Sequence, residues 1–349
     1  MNQPLIMSEN VKLNLYEIVK CGYYEDQSLT SSFCSLPEML NDLQQWIQDK
    51  ELQETKTYGL EDYQNHLPTY CLDLVRDNQT GDYLLTTWNE TPTDQGNYAS
   101  INLRSSVGQY ELDIQKIPKG YVPGYATYFW FIPDLSRFCT IRFSQPLNGH
   151  PNLKLYLKNY LKNYSGWVFD DGGIDEREII GYGTNEGNID LKLNPIFDSR
   201  PAVKTGDREF LRRNAQFIRK VMRKNRVNYV NRENLNFVGN LFRRIGINND
   251  VLPEVDFHDV KFEIDREFTE VEIVEIFDYW LQNIQEDNGH FDDIGFKFTG
   301  NSDDYWLSRI IQKMEFEIDV IRRQEEVVEA DSLLTELIAE TREHVLALV

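Results

Sequence analysis

The chain has 349 residues, with 57 Asp or Glu against 36 Lys or Arg, a formal charge of −21 and 41% hydrophobic content. That composition excludes wholesale disorder, since enough apolar surface is present to bury a core. Cys21, Cys34, Cys71 and Cys139 are far apart, with no CxxC pair and no matching His cluster, which argues against a disulfide framework or a zinc site. No basic leader precedes an apolar run, and no stretch of roughly eighteen apolar residues occurs, so the chain reads as cytoplasmic and not membrane-spanning.

Taken in order, the elements predict an α+β fold. An N-terminal domain over residues 1–168 carries a mixed or antiparallel sheet with helices. A second α+β domain over 169–349 carries a basic helix and a C-terminal helix. The first strand is expected near Lys12 to Val19. A helix follows from Leu36 to Lys50, with Ser35 as N-cap, Pro37 in the first turn and an apolar stripe of Leu36, Met39, Leu40, Leu43, Trp46 and Ile47. YCLDLVR and DYLLTTW flank the turn residues DNQTG as a hairpin. Further strands are expected at ASINLR, GQYELDI, YATYFWFI and RFCTIRF, the last two joined through Pro133-Asp134. YATYFWFI is apolar on both faces, the mark of an internal strand.

A helix from about Leu153 to Asn163 presents Leu153, Leu157 and Leu161 beside Tyr156 and Tyr160, with Lys154, Lys158 and Lys162 as a parallel basic ridge. Glycine-rich loops near Gly166 to Gly173 mark the expected domain boundary. Beyond it come a strand at IDLKL, an irregular stretch through Pro195 and Pro201, and the basic segment. Then follow an amphipathic FVGNLFRRIG, a strand at VKFEI, and a helix from Glu270 with Thr269 and Glu272 as a capping box. Strands at IGFKFTG and KMEFEIDV precede a C-terminal helix capped by Asp331.

The charge is unevenly placed. Between Arg200 and Arg244 there are thirteen Lys or Arg against three acids, an excess of ten positive charges inside a chain of −21. On a helical wheel, Asp207 to Arg226 separates into two halves. Phe210, Leu211, Ala215, Phe217, Ile218, Val221 and Met222 form the packing side, and Arg208, Arg212, Arg213, Arg219, Lys220, Arg223, Lys224 and Arg226 the outer side. Like charges at i,i+4 repel, so an anionic partner should offset them. The leading candidate is a phosphate backbone, extended by the Lys154, Lys158 and Lys162 ridge with Tyr156 and Tyr160 for base stacking. The competing reading is neutralisation by the chain's own acids, or by a second subunit's Glu325, Glu326, Glu329 and Asp331.

Other constellations are weaker. Asp175, Asp190 and Lys192 echo the acid, spacer, acid-x-Lys arrangement of Mg²⁺-dependent nucleases. His290 with Asp292 and Asp293 resembles half a metal site, although a polar loop is the plainer reading. GYGTNEGN has the glycine density of a phosphate loop but lacks its strand-loop-helix setting and Lys-Ser/Thr ending, so a hairpin turn is expected.

In element order the chain resembles the RexA-type phage-exclusion proteins of temperate phages and related bacterial defence proteins. The parallel runs through LYEIVKCGYY, LPEMLNDLQQWI, YCLDLVRDNQTGDYLLTTW, YATYFWFIPDLSRFCTIRF and PNLKLYLKNYL. It continues through FVGNLFRRIG, VKFEIDRE, the strand pair FKFTG and MEFEIDV, and the final helix. The resemblance implies an intracellular DNA-binding sensor that reacts to phage replication and signals to a partner, often a membrane protein encoded alongside. Together these readings lead to a non-enzymatic, homo-oligomeric DNA-binding protein without cofactor. A Mg²⁺-dependent nuclease and a protein-interaction subunit are the alternatives.

Overall fold

The structure is a computed structural model. It describes residues 6–63, 66–91, 97–101, 112–143, 149–172, 178–185, 187–204, 206–226, 259–284, 286–287, 290–291, 293–300, 303–323 and 327–348. FVGNLFRRIG therefore lies outside the described residues.

The expected first strand is the middle of a longer one, β1 (Ile6–Tyr24). Its alternation sends Val11, Leu13 and Leu15 to one face and Tyr16 and Ile18 to the other. A register shift between Ile18 and Lys20 then inverts the parity, so that Cys21 and Tyr23 rejoin the face of Tyr16. At Gly22, φ is +116°, and an added Cβ would meet the Cys34 carbonyl oxygen at 2.2 Å, so glycine is required where the chain from Phe33 crosses β1.

Helix α1 (Leu36–Trp46) begins on a capping box in which the Ser35 N–H donates to Glu38 at 2.7 Å. The hairpin is β2 (Thr69–Arg76) and β3 (Tyr83–Glu90), its turn fixed by Asp77 accepting from the N–H groups of Gln79 and Thr80. A two-stranded ribbon, β4 (Asn97–Ile101) and β5 (Leu112–Lys116), leads to β6 (Gly124–Ile132) and β7 (Arg137–Arg142). β6 is internal, between β3 and β7, with Phe129 and Phe131 on one face and Tyr128, Trp130 and Ile132 on the other.

Helix α2 (His150–Asn163) precedes a small sheet of β8 (Val168–Asp170), β9 (Ile179–Gly183) and β10 (Ile189–Asp190). GYGTNEGN is the β9–β10 hairpin. The stretch through Pro195 and Pro201, expected to be irregular, is a strand, β11 (Asn194–Pro201), paired with the second half of β1. The prolines sit at its two ends, where a missing N–H is tolerated.

The remaining elements are α3 (Asp207–Arg213), β12 (Ile218–Arg226), β13 (Asp259–Asp265), α4 (Glu270–Asn283), the two-residue pair β14 (Glu286–Asp287) and β15 (His290–Phe291), β16 (Asp293–Phe298) and β17 (Asp304–Trp306). The chain ends through β18 (Lys313–Arg323), β19 (Val327–Val328) and a helical segment of α5 (Ala330–Glu336), a π turn at Leu337–Thr341 and α6 (Arg342–Leu346). The cap of α5 is Glu329, not Asp331.

The large antiparallel sheet runs β19-β18-β1-β7-β6-β3-β2, with β11 paired to β1 beyond β18. One face packs on α1 and α2, and the other on α5, the π turn and α6, giving three layers. Strands from both ends of the chain thus share one sheet. Residues 207–310 hold a separate antiparallel sheet, β13-β12-β16-β17, covered by α3 and α4 around Leu211, Ile218, Val221, Phe277, Trp280 and Phe296.

Candidate nucleic-acid interface

The segment Asp207 to Arg226 is not one helix. α3 stops at Arg213, where the Asn214 amide donates to the Phe210 carbonyl at 2.8 Å. A 3₁₀ turn spans Ala215–Phe217, and the rest is β12. Asn214 breaks the helix by bonding its own last turn. β-branched Ile218 and Val221 suit a strand, and pairing to both β13 and β16 satisfies the backbone of β12 on each side.

The cations of this segment meet the chain's own carboxylates. Arg208 donates two hydrogen bonds to Asp278 on α4, at 2.7 and 2.6 Å. Arg212 grips Glu209 at 2.8 and 2.7 Å and reaches Glu270 at 2.7 Å, while Arg213 donates to the same Glu209 at 2.6 Å. Lys220 stands 3.2 Å from Glu263 and 3.5 Å from Asp265, both on β13. Arg219 donates to the Thr299 hydroxyl at 2.8 Å and lies 3.4 Å from Glu267. Hydrogen bonds from Arg212 and then Arg213 hold the Glu209 carboxyl down at about 2. Donating to Asp278 and to Glu263 raises Arg208 and Lys220 respectively.

Arg223 is only 5% exposed and is no surface contact. Lys224 and Arg226 lie on β12, and their side chains are outside the described residues. On α2, Lys154 is paired with Asp198 at 2.6 Å, and Lys158 and Lys162 are exposed. Tyr156 and Tyr160 are not stacking platforms. Both are wholly buried, Tyr156 donating to the Thr55 carbonyl at 2.9 Å and Tyr160 to Asp42 at 2.5 Å.

Two rings assigned by the wheel to the packing side are instead half in solvent: Phe210 is 44% and Phe217 is 49% exposed. Beside them are the side chains of Arg213, 72% exposed, and Arg219, 51% exposed. The wheel hid these rings, because a continuous helix would have turned both toward the core.

The remaining constellations do not assemble. Asp175 and Asp292 lie outside the described residues. Asp190 accepts from the Lys192 backbone N–H at 2.8 Å, so the two form a turn and not a metal platform. Asp293 accepts from the Ser308 N–H at 2.8 Å and from its hydroxyl. Among the described residues, no group of three His, Cys, Asp or Glu is placed to hold a metal ion, and no helix is long and apolar enough to cross a membrane.

Fold and surface define an α+β protein with a large antiparallel sheet and a cationic segment set largely in its own acidic frame. No protein family matches the chain, and neither does any curated protein or solved structure.

Proposed function

We propose that this chain is a nucleic-acid-binding protein, a sensor or effector in phage exclusion or a related antiviral defence, and that it contacts phosphates through α3 and the start of β12. The observation that carries the reading is the state of Arg213 and Arg219. Both project into solvent, and their carboxylate partners, Glu209 and Glu267, are solvent-exposed as well. Such exposed pairs contribute little and exchange readily, whereas each phosphate contact also gains from counterion release. The element order shared with RexA-type proteins supports the biological setting.

The test is a fluorescence anisotropy titration with a labelled oligonucleotide. Two phosphate contacts on duplex predict a loss of about tenfold in affinity as salt rises from about 50 to about 200 mM. The double variant Arg213→Glu, Arg219→Glu should abolish that dependence. Unchanged binding by the double variant would refute the assignment.

A second reading, a protein-interaction subunit, is favoured by the internal neutralisation of Arg208, Arg212 and Lys220. These side chains stitch α3 to α4 and β12 to β13, a structural task that needs no anionic ligand.

A further inference from the structure

The positions of the exposed rings say which form of nucleic acid this surface suits. Phe210 is held by two neighbours, with ring centroids 5.8 Å from Phe298 and 5.6 Å from Tyr305, and those two rings are themselves 6.1 Å apart. Tyr305 is anchored in turn by donating to Asp207 at 2.6 Å. Phe210 is therefore a fixed platform and not a loose side chain, yet nearly half of it is left in water.

Phe217 is held at its backbone. Its carbonyl accepts from the Thr299 N–H at 2.7 Å and from the Thr299 hydroxyl at 3.2 Å, and that hydroxyl also accepts from the Arg219 Nε at 2.8 Å. The Phe217 backbone and the Arg219 guanidinium are thus tied through one threonine. In α3, Arg213 follows Phe210 by one helical turn, on the same side. The segment therefore carries two half-exposed rings, Phe210 held by its ring neighbours and Phe217 at its backbone, each with an exposed arginine two or three residues further on.

Resting on the nucleic-acid reading above, we infer that the ligand is single-stranded, with unpaired bases stacking on Phe210 and Phe217 and the adjoining phosphates meeting Arg213 and Arg219. Duplex bases are already stacked and offer these rings nothing. A duplex would rely on a row of free cations, and here Arg208, Arg212, Lys220 and Lys154 are each held by carboxylates of the chain. Stacking does not depend on charge, contributes roughly a factor of ten or more per base, and suits a surface whose described cations are largely paired with the chain's own carboxylates.

The experiment compares one labelled oligonucleotide of about sixteen nucleotides, single-stranded or annealed to its complement, on the full-length protein. The single strand should bind at least about tenfold more tightly, and Phe210→Ala and Phe217→Ala should each weaken it by roughly tenfold while leaving duplex binding unchanged. Phe210→Trp, which keeps a stacking ring, should bind as the wild type does, separating stacking from loss of fold. Over the same fourfold rise in salt, the single-strand affinity should fall by only about sevenfold, the shallower slope expected of two contacts on a flexible strand. Equal or tighter duplex binding, or undiminished single-strand binding by both alanine variants, overturns this inference and leaves the broader reading standing. Failure of the wild type to bind either form overturns both.

Discussion

Replacing Arg342 with Met should reveal how the C-terminal layer is fastened to the sheet. Asp82, at the foot of β3, is completely buried, and it accepts from Arg342 Nε at 2.9 Å, Arg342 Nη2 at 3.4 Å and Trp130 Nε1 at 3.1 Å. Methionine fills similar volume but leaves the carboxylate without its counter-charge, and breaking a buried pair from one side costs about 3–5 kcal/mol. Set against a total stability on the order of 5–15 kcal/mol, that is a large fraction, visible as a fall in the urea midpoint with little change in slope. Burial already raises the Asp82 carboxyl above its ordinary value, opposed chiefly by hydrogen bonding from Arg342, so the variant should raise it further. A folded value above the unfolded one means that the folded state holds the extra proton, and stability is lost as pH rises through the folded value. The variant should therefore regain stability on acidification from about pH 7 to about pH 5, and Asp82→Asn in the same chain should recover most of the loss at neutral pH. A single variant within about 1 kcal/mol of wild type, or a double variant no more stable than the single, would show that no uncompensated charge had been left behind.

Three further outcomes are expected. His150 is buried against Tyr16, Phe138 and Ser199, and burial followed by the nearby Lys154 charge pushes its imidazole down to about 3. The unfolded chain takes up a proton that the fold refuses, so stability should fall by about 1.4 kcal/mol per pH unit below pH ~6.5, and His150→Phe should show a shallower slope in urea titrations over that window. Gly22→Ala forces a Cβ to 2.2 Å from one carbonyl oxygen and 2.6 Å from another at positive φ, and should cost at least about 2 kcal/mol in the same assay. Glu209→Gln releases Arg212 and Arg213 from their shared carboxylate, so under the proposed function oligonucleotide affinity should rise and its salt dependence steepen; unchanged affinity would count against that function.

What the sequence made legible was local. The Thr269-Glu272 box starts α4 as expected, Ser35 and Pro37 start α1, and YATYFWFI forms an internal strand because its two apolar faces have two cores to fill. What it concealed depends on partners distant in sequence. β11 looked irregular because its end prolines carry the local signal, while the evidence for a strand is β1, far upstream. The basic segment satisfied a helical wheel because apolar residues two, three and four apart fit more than one period, and only pairing with β13 and β16 decides for a strand after Asn214. Apart from Glu209 within α3, the acids that neutralise it lie 43 to 70 residues further on, beyond any local pattern. Phe210 and Phe217 were misassigned for the same reason, since a continuous helix and a broken one expose different rings.

The position of β1 in the large sheet bears on how the protein is made. Ile6 to Asn14 pair with Ile321 to Lys313, and Tyr16 to Tyr24 with Pro201 to Asn194. During synthesis β1 emerges long before β18, Ser8 preceding its neighbour Glu317 by 309 residues. At typical ribosomal rates the interval is on the order of tens of seconds, throughout which one edge of β1 presents unpaired backbone groups. Lys12 on that edge, with Ser8, Glu9 and Asn10 before it, gives the waiting strand the polar and charged side chains that discourage pairing with another copy before β18 arrives.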